Sequence, residues 1–506
     1  MIKTAMIFGN RMILQREKPI AVWGTAEPHS EVKISFDGNE VRARAEDSGE
    51  WKVFLPAHTA ARNLTMTITS GEDKVVYSDI SVGEVWIAGG QSNMEFYLGF
   101  EKHFEEVAAS FESTDIRFFD YPETAYEEEL NDRNYVHEGF WRNSTKEDLP
   151  YFSAAGFYFA RRLREEIDVP VGIVGCNWGG TTASAWMDPE RLKGTEGEVW
   201  LSDYEEFSKG LDMDAFMESY RQNPLTDTTE RLTDPFNIAG VKIGLTREEQ
   251  VEALKQMQDA EDISGFVFIG RPGGLYSTML KKVAPYTTRG VIWYQGESDG
   301  DVHPGAYADV FTRMIKNWRD LWQDDLPFLF VQLAPFREWL HVKGDNYGIV
   351  RECQETVSKT VPGTFMTTTG DVGMEWDIHP KNKKAVGERL ALLALGHVYG
   401  KDILCDPPEM ESVSSCEGKA VISFRNADGL HIDGDSVNAF QVETEDGQII
   451  NADEGRVDGD KLILSLPNLQ IPNVKINSIR FAQEPYYEVN LYNAAGIPAK
   501  PFKWKK

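Results

Sequence analysis

Four separated segments carry the groups that an acyl-transfer site needs: a serine, paired glycines, an amide–carboxylate cluster and an acid–histidine pair. A serine hydroxyl is a weak nucleophile until an imidazole takes its proton, and a carboxylate beside that imidazole fixes its tautomer. Glycines let backbone N–H groups approach the oxyanion that develops on the attacked carbonyl. The residues concerned are Ser92, Gly179, Gly180, Gln295, Glu297, Asp377 and His379.

Each of these features, taken alone, also has an ordinary structural interpretation. Ser92 follows two glycines and could lie in a simple turn, and Glu297 could cap a helix. His379 precedes Pro380, which suits the first position of a helix. All four segments follow predicted strands, however, and ligands of open α/β sheets bind at the carboxyl ends of the strands. The combination therefore predicts one acyl-transfer site.

Continuous apolar runs predict the strands that must position these segments. Such runs are typical of parallel strands buried on both faces of a sheet. Apolar residues at helical spacing predict helices within 152–167, 307–322 and 383–400. The alternation of strands and helices predicts an α/β sheet with right-handed crossovers. The predicted strands are "EVWIA" (84–88), "DIRFF" (115–119), "VGIVGC" (171–176), "GVIWYQ" (290–295), "FLFVQL" (328–333) and "TFMTTT" (364–369).

The texture of the sequence changes along the chain and predicts three parts. Residues 1–82 and 403–506 contain short, partly alternating apolar runs broken by turn residues, which predicts a β module at each end. Asp37–Gly38 is the expected hairpin turn of the first module. Residues 83–402 form the predicted α/β domain. Within it, 190–265 is a polar helical insertion, either a lid or a solvated excursion.

Composition excludes several classes of protein. A chain of 506 residues is too long for one core, and its net charge of −29 argues against nucleic-acid binding. No run is apolar enough to span a membrane, and no signal-peptide pattern begins the chain. We expect a cytoplasmic protein, or a secreted one whose signal peptide is absent from this sequence. The cysteines form no C-x-x-C pair, so no metal site is expected. Whether Cys405 and Cys416 form a disulfide is left undecided by the sequence.

Several motifs are similar to those of a known family. "GQSNM" (90–94), "WGGT" (178–181), "WYQGES" (293–298) and "DIHPKNK" (377–383) resemble the signatures of SGNH hydrolases and, more narrowly, of the sialate O-acetylesterase family of carbohydrate esterases. Segments 12–26, 271–286 and 490–502 also resemble that family, so the similarity spans nearly the whole chain. The resemblance implies an SGNH-type three-layer α/β/α sandwich with a parallel sheet, and accessory β-sandwich modules at both ends of the chain.

The resemblance also implies roles for individual residues. Ser92 would be the nucleophile and would donate its own N–H to the oxyanion, and His379 would be the general base. Gly180, rather than Gly179, would be the second donor. Gln295 would be a side-chain donor or would organise the site. The supporting or substrate-binding residues would be Gln91, Asn93, Gly179, Glu297 and Arg271. Gln91 replaces the Asp of the commoner G-D-S-L form, which points to carbohydrate esterases rather than lipases.

The sequence departs from the SGNH pattern at two places. The acid commonly stands three residues before the histidine, but Trp376 occupies that position here. We predict that Asp377 orients His379; the alternative is the carbonyl of Trp376, which would leave a Ser–His dyad. The usual G-x-N-D block reads Gly-Glu-Ser-Asp over 296–299, so the expected Asn donor is missing and Gln295 is its predicted substitute.

The resemblance implies a serine esterase that removes acetyl groups from sugar hydroxyls without a metal or cofactor. The substrate would be O-acetylated sialic acid or an acetylated plant hemicellulose of the xylan, mannan or xyloglucan type. A sialate site needs an arginine that binds the substrate carboxylate with two parallel hydrogen bonds. Arg271 and Arg351 are the candidates for this role. A hemicellulose site would favour aromatic platforms. An inactive glycan-binding protein and a lipase-like esterase with an apolar cleft are the other possibilities.

Overall fold

Strands form both ends of the chain and alternate with helices in its middle. The computed structural model describes residues 1–127, 136–222, 231–234, 237–257, 269–416, 419–465 and 476–506. The strands of these residues are β1 (Lys3–Thr4), β2 (Ile13–Gln15), β3 (Ile20–Thr25), β4 (Glu31–Phe36), β5 (Asn39–Arg44), β6 (Glu50–Leu55), β7 (Ala61–Ser70), β8 (Asp73–Gly90), β9 (Ser113–Asp120), β10 (Arg142–Ser144), β11 (Val171–Asn177), β12 (Gly290–Tyr294), β13 (Phe328–Val331), β14 (Glu338–Trp339), β15 (Val342–Lys343), β16 (Thr364–Thr367), β17 (Glu409–Cys416), β18 (Lys419–Arg425), β19 (His431–Ile432), β20 (Phe440–Thr444), β21 (Ile449–Asn451), β22 (Gly455–Asp458), β23 (Lys461–Ser465), β24 (Ile476–Phe481), β25 (Leu491–Tyr492) and β26 (Phe502–Lys505).

The helices lie mainly between the strands of the middle region. They are α1 (Ser92–Glu95), α2 (Phe104–Ser110), α3 (Ala154–Ile167), α4 (Glu198–Ser208), α5 (Met213–Gln222), α6 (Arg247–Met257), α7 (Lys281–Val283), α8 (Glu297–Val302), α9 (Tyr307–Trp322), α10 (Tyr347–Thr360) and α11 (Lys383–Leu393). Three π-helical segments, Asn237–Ile243, Tyr276–Leu280 and Ala394–Val398, accompany them. The three helices predicted from apolar spacing are confirmed as α3, α9 and α11 with its π-helical continuation.

The chain divides into two compact units. The first contains Met1–Ile243, Glu261–Gln295 and Asp309–Phe328, and the second contains Gly244–Ala260, Gly296–Ala308 and Leu329–Lys506. The predicted three-part division at 82/83 and 402/403 follows sequence texture instead and stays a prediction. Strand β8 runs through the first of these two boundaries.

The first unit contains a sheet whose central strands are parallel. Its order is β10-β9-β11-β8-β12, with β9, β11, β8 and β12 parallel and β10 antiparallel at the edge. Every residue of β11 and β12 is buried, as expected for central strands of a parallel sheet. The predicted strands of this region are therefore confirmed. Ser92, the "WGGT" turn and Gln295 follow the carboxyl ends of three neighbouring strands.

Strand β8 also joins this sheet to the amino-terminal β region. Its first half pairs antiparallel with β7, which in turn pairs with β4. Strands β4 and β5 form a hairpin in which Phe36 faces Asn39. Its two turn residues have positive φ angles, 43° at Asp37 and 76° at Gly38, as a tight hairpin requires. The predicted Asp–Gly turn is confirmed.

The second unit contains several smaller sheets. Strands β13 and β16 are neighbours, which confirms both as strands. Two four-stranded antiparallel sheets, β17-β18-β23-β22 and β21-β20-β24-β26, contribute side chains such as Ile422 and Phe440 to one buried cluster. The expected carboxy-terminal β region is thus present. Among the described residues, no helix has the length and apolarity needed to cross a membrane.

The predicted insertion 190–265 is helical where it is described. It contains α4 and α5 in the first unit and α6 in the second. Its residues 223–230, 235–236 and 258–265 lie outside the described residues. Its role as a lid stays a prediction.

Candidate active site

Ser92 begins α1 directly after β8, at a turn that requires glycine. Gly90 has a φ of 140°, and a Cβ at that position would lie 2.2 Å from the carbonyl oxygen of Tyr294. A Cβ on Gly89 would lie 2.9 Å from the indole of Trp293. The pair of glycines therefore lets β8 approach β12 closely and turn sharply into α1. This is the strand–turn–helix that the sequence predicts around Ser92.

The turn after β11 packs against Ser92. The backbone N–H of Trp178 donates to the carbonyl of Gly90 at 3.1 Å, which ties this turn to the end of β8. A Cβ on Gly179 would lie only 3.2 Å from the Cβ of Ser92. The structure thus brings Ser92 and the predicted glycine pair together within the first unit.

The two glycines of this turn differ in what their N–H groups can do. The N–H of Gly179 donates to Oε2 of Glu95 at 2.7 Å, so a partner already holds it. Gly180 has a φ of 73°, a left-handed conformation that favours glycine. Gly180 as the oxyanion donor stays a prediction, and Gly179 packs against Ser92.

Gln295 follows the end of β12 and bonds residues that follow β8 and β11. Its side chain is fully buried, and its amide nitrogen donates to Oε1 of Gln91 at 3.2 Å and to the carbonyl of Thr181 at 3.0 Å. These two bonds use both N–H groups of the amide. The geometry therefore favours the organising role over the predicted role of oxyanion donor, because the amide has no further hydrogen to donate.

Glu95, in the helix that begins at Ser92, lines a cleft rich in carboxylates. This cleft of the first unit is lined by the acidic side chains of Glu95, Asp120, Glu123 and Glu138 and by the aromatic rings of Tyr97, Tyr121, His137 and Tyr151. Its two arginines are already paired. Arg231 bonds Glu95 and Glu123, and Arg142 donates to Asp120 at 3.0 Å. Burial raises the pKa of Asp120 to about 6 although Arg142 opposes the shift.

His379 is buried in the second unit beside Asp377. His379 is 5% exposed and Asp377 is 3% exposed. Nδ1 of His379 lies 3.6 Å from Oδ1 of Asp377. The same Oδ1 accepts the backbone N–H of His379 at 2.8 Å. Lys381 contacts the other carboxylate oxygen at 2.7 Å. The D-x-H spacing therefore places the carboxylate on the Nδ1 side of the imidazole.

Burial and charge set the protonation of this pair. Burial lowers the pKa of His379 below its ordinary value of 6.5, although Asp377 opposes the shift, and Lys381 lowers it further. Burial alone would raise the pKa of Asp377, but His379 and Lys381 outweigh it and hold that pKa below its ordinary value. At neutral pH the imidazole is neutral and the carboxylate is ionised, which are the states that a general base and its orienting acid need.

The carbonyl of Trp376, the alternative orienting group, is held by a glutamine. The amide nitrogen of Gln250 donates to this carbonyl at 2.8 Å and to the carbonyl of Leu245 at 3.1 Å. Its Oε1 accepts the N–H of Leu340 at 3.0 Å, and the side chain is fully buried. Asp377 as the orienting group stays a prediction, and Gln250 fixes the loop that carries it.

Further contacts of the second unit support the same loop. Arg247 donates to Glu338 at 2.8 Å, and its guanidinium lies 5.0 Å from the centre of the Trp376 ring. The ring of Trp339 meets that of His379 edge-on at 5.3 Å. A Cβ on Gly244 would lie 2.6 Å from Oδ2 of Asp377. The start of α6 and the β14–β15 hairpin thus both pack around the acid–histidine pair.

The remaining predicted residues are placed as follows. Asn93 and Glu297 are buried at the starts of α1 and α8. Arg271 donates to the carbonyl of Ala125 at 2.9 Å and lies over the ring of Tyr126. Arg351, in the second unit, is buried and donates to the carbonyl of Glu484 at 3.3 Å. Both arginines hold backbone segments of their own units.

Ser92 and His379 lie in different units, Ser92 in the first and His379 in the second. Their pairing stays a prediction of the sequence.

Glu95, Lys381 and Gln250 were not predicted as site residues. Glu95 is the third residue after Ser92 and Lys381 the second after His379, so proximity in the motifs was the available signal. No sequence signal marked Gln250, because its helix has an acidic, polar sequence.

Comparisons with known proteins agree with the motifs. Residues 256–395 match the family model described as carbohydrate esterase, sialic acid-specific acetylesterase. The sialate O-acetylesterase of Rattus norvegicus is 25% identical over 433 residues, covering 78% of this chain and 73% of the rat protein. That of Mus musculus is 27% identical over 436 residues, with the same coverage of 78% and 73%.

A solved structure is similar over the whole chain. The crystal structure of a carbohydrate acetylesterase from Xanthomonas citri matches with a TM-score of 0.75 and 27% sequence identity, covering 100% of both chains. Residues 256–395 thus match the sialic acid-specific acetylesterase family of carbohydrate esterases, and the chain is similar to sialate O-acetylesterases and to a carbohydrate acetylesterase, which confirms the resemblance found in its sequence.

Proposed function

We propose that the chain is a carbohydrate O-acetylesterase of the SGNH type, with Ser92 as nucleophile and His379 as general base. The observation that carries the proposal is the setting of Ser92, at a strand–helix turn with the Gly179–Gly180 turn packed against it. The named relatives and the solved neighbour support the reaction class. The parallel strands β9, β11, β8 and β12 support the SGNH-type three-layer arrangement.

The proposed reaction proceeds in two acyl transfers. His379 takes the hydroxyl proton as Oγ of Ser92 attacks the acetyl carbonyl carbon. The N–H groups of Ser92 and Gly180 stabilise the oxyanion. The bond from the carbonyl to the sugar oxygen then breaks, and His379 returns the proton to that oxygen. Water, deprotonated by His379, attacks the acetyl-enzyme and releases acetate with the restored serine. Asp377 orients the imidazole throughout.

The charge around the cleft that Glu95 lines, in the helix that begins at Ser92, favours a neutral sugar over sialic acid. Binding a sialate carboxylate calls for an arginine with a free fork of donors. Arg231 bonds the carboxylates of Glu95, which lies in α1 with Ser92, and of Glu123. Arg142 bonds a third carboxylate, that of Asp120. Four acidic side chains line the same cleft as these two arginines, and the excess negative charge disfavours an anionic sugar there. Tyrosine rings suit the apolar faces of a neutral sugar.

Acetate release from a panel of acetylated glycans tests both parts of the proposal. We expect release from acetylated xylan or glucomannan to exceed that from O-acetylated sialic acid, and Ser92→Ala to abolish both. Ser48→Ala, at an exposed turn, is the matched control. Release from sialic acid alone would overturn the choice of substrate but not of reaction. No release from any glycan would overturn the esterase and favour a glycan-binding protein.

A further inference from the structure

Three side chains of the second unit bring one nitrogen, one sulfur and one oxygen atom together. Nε2 of His397 lies 3.5 Å from Sγ of Cys405 and 3.1 Å from Oδ2 of Asp406. The sulfur lies 3.8 Å from the same carboxylate oxygen. Cys405 is a free cysteine, so its thiol is available for ligation.

These three distances match one face of a tetrahedral zinc site. Bonds of about 2.0 Å to nitrogen or oxygen and about 2.3 Å to sulfur, at tetrahedral angles, place such donor atoms about 3.3–3.6 Å apart. The observed edges of 3.1, 3.5 and 3.8 Å need shifts of only a few tenths of an ångström. We propose that His397, Cys405 and Asp406 bind a Zn²⁺ ion, with a water molecule as the fourth ligand.

The chemistry of the donors selects this metal. A thiolate and an imidazole favour zinc over Mg²⁺ or Ca²⁺, which prefer oxygen ligands. Binding replaces the proton of the Cys405 thiol, and any proton on Nε2 of His397, by the ion, so protons are released to solvent as the metal enters. The charges of the thiolate and the carboxylate balance that of Zn²⁺.

The donors are held in place by neighbours that do not ligate. The ring of Phe365 stacks on His397 with centroids 3.9 Å apart and planes 10° apart. A Cβ on Gly396 would lie 2.4 Å from Sγ of Cys405, so glycine makes room for the sulfur. The side chains of His397 and Asp406 are 26% and 35% exposed, which leaves a path for the ion. Little reorganisation is needed on binding.

The position of the cluster indicates a structural rather than a catalytic ion. His397 lies in the π-helical segment that continues α11, and Cys405–Asp406 lie in the connection leading to β17. An ion here would join two segments eight residues apart and fix the approach to the carboxy-terminal sheets. The proposed esterase reaction uses none of these three residues.

Metal analysis of the whole chain tests the proposal. We expect the chelator-treated protein to take up about one Zn²⁺ per chain and to gain thermal stability. Binding of Co²⁺ should produce a thiolate-to-metal absorption band. Cys405→Ser should abolish the band and weaken Zn²⁺ binding at least about a hundredfold. Cys353→Ser, which alters another cysteine that forms no disulfide, is the matched control and should bind Zn²⁺ as the wild type does.

Asp406→Asn, which keeps the shape of the side chain, guards against loss of fold as an explanation. It should weaken Zn²⁺ binding while leaving the circular dichroism spectrum unchanged. A wild-type protein that binds no Zn²⁺ would overturn the proposal, as would a cobalt band that survives in Cys405→Ser. Either outcome would make the three residues a hydrogen-bonded cluster only. Acetylesterase activity is independent of this test.

Discussion

Replacing Gln250 with leucine should lower kcat and leave KM nearly unchanged, because Gln250 positions the loop of His379 and does not belong to the proposed reacting groups. The substitution keeps the volume but removes three hydrogen bonds, to the carbonyls of Leu245 and Trp376 and from the N–H of Leu340. Each orphaned buried group costs about 1–3 kcal/mol. Trp376 is 38% exposed, so water can reach part of its surroundings. With the Trp376 carbonyl left to water, the two remaining groups give a destabilisation of about 2–6 kcal/mol.

The effect on catalysis follows from the loss of position. A shift of the imidazole by about 1 Å costs on the order of a hundredfold in rate. A looser loop also admits water, which weakens the burial that lowers the pKa of His379. The acid limb of the pH–rate profile should therefore move upward, towards pH 6.5, the ordinary value. A merely structural defect that reduced the amount of folded protein would scale activity without moving this limb.

The assay is steady-state hydrolysis of an aryl acetate and of an acetylated glycan across pH, on protein checked for fold by circular dichroism. Gln250→Glu keeps an acceptor for Leu340 but loses both donors, so it should be impaired like Gln250→Leu. Gln448→Leu, at an exposed hairpin, is the matched control. A folded Gln250→Leu protein with wild-type kcat and an unmoved acid limb would refute the reasoning.

Three further predictions concern the acid–histidine pair and the serine turn. Asp377→Asn should lower kcat about 10³–10⁴-fold, since the amide favours the wrong tautomer of His379; a loss below tenfold would contradict Asp377 as the orienting acid. The acid limb of the wild type should lie below pH 6.5, because burial lowers the pKa of His379, and Lys381→Met should move it upward by removing a positive charge; a downward shift would contradict this. Gly90→Ala should destabilise the fold by on the order of 3 kcal/mol in chemical denaturation, because its φ is 140° and a Cβ would lie 2.2 Å from a carbonyl oxygen. Gly9→Ala, with open space around it, should change little.

The strands that carry the site could be predicted because buried strands have a recognisable apolar sequence pattern. Continuous apolar runs such as 171–176 and 290–295 are what two-sided burial requires, and both are strands. The serine turn could be predicted for a related reason. Two glycines followed by a polar cluster mark a close approach of backbones, and Gly90 packs on the end of β12 as that pattern indicates.

Buried polar contacts could not be predicted, because hydropathy does not reveal them. The helix of Gln250 has an acidic, polar sequence and belongs to the predicted polar insertion, yet three backbone groups hold its glutamine in the interior. Spacing alone left two orienting groups for His379. The hydrogen bond from Gln250 to the carbonyl of Trp376 bears on that choice, and it joins residues 126 positions apart in the chain.

The pairing of charged side chains and the proposed zinc ligands could not be predicted from the sequence for the same reason. The net charge of the chain did not reveal that carboxylates already occupy Arg231, which bears on the substrate. The cysteines show no zinc spacing, and the cluster around Cys405 arises only because the chain returns to His397. Such sites depend on tertiary contacts and need coordinates to be found.

Covalent labelling of the nucleophile tests the central claim most directly. The wild-type protein is treated with a fluorophosphonate, and the adduct is located by intact-mass measurement and peptide mapping. We predict one adduct per chain, on Ser92, absent from Ser92→Ala and retained in Ser48→Ala. An adduct on another residue, or one that persists in Ser92→Ala, would contradict Ser92 as the nucleophile.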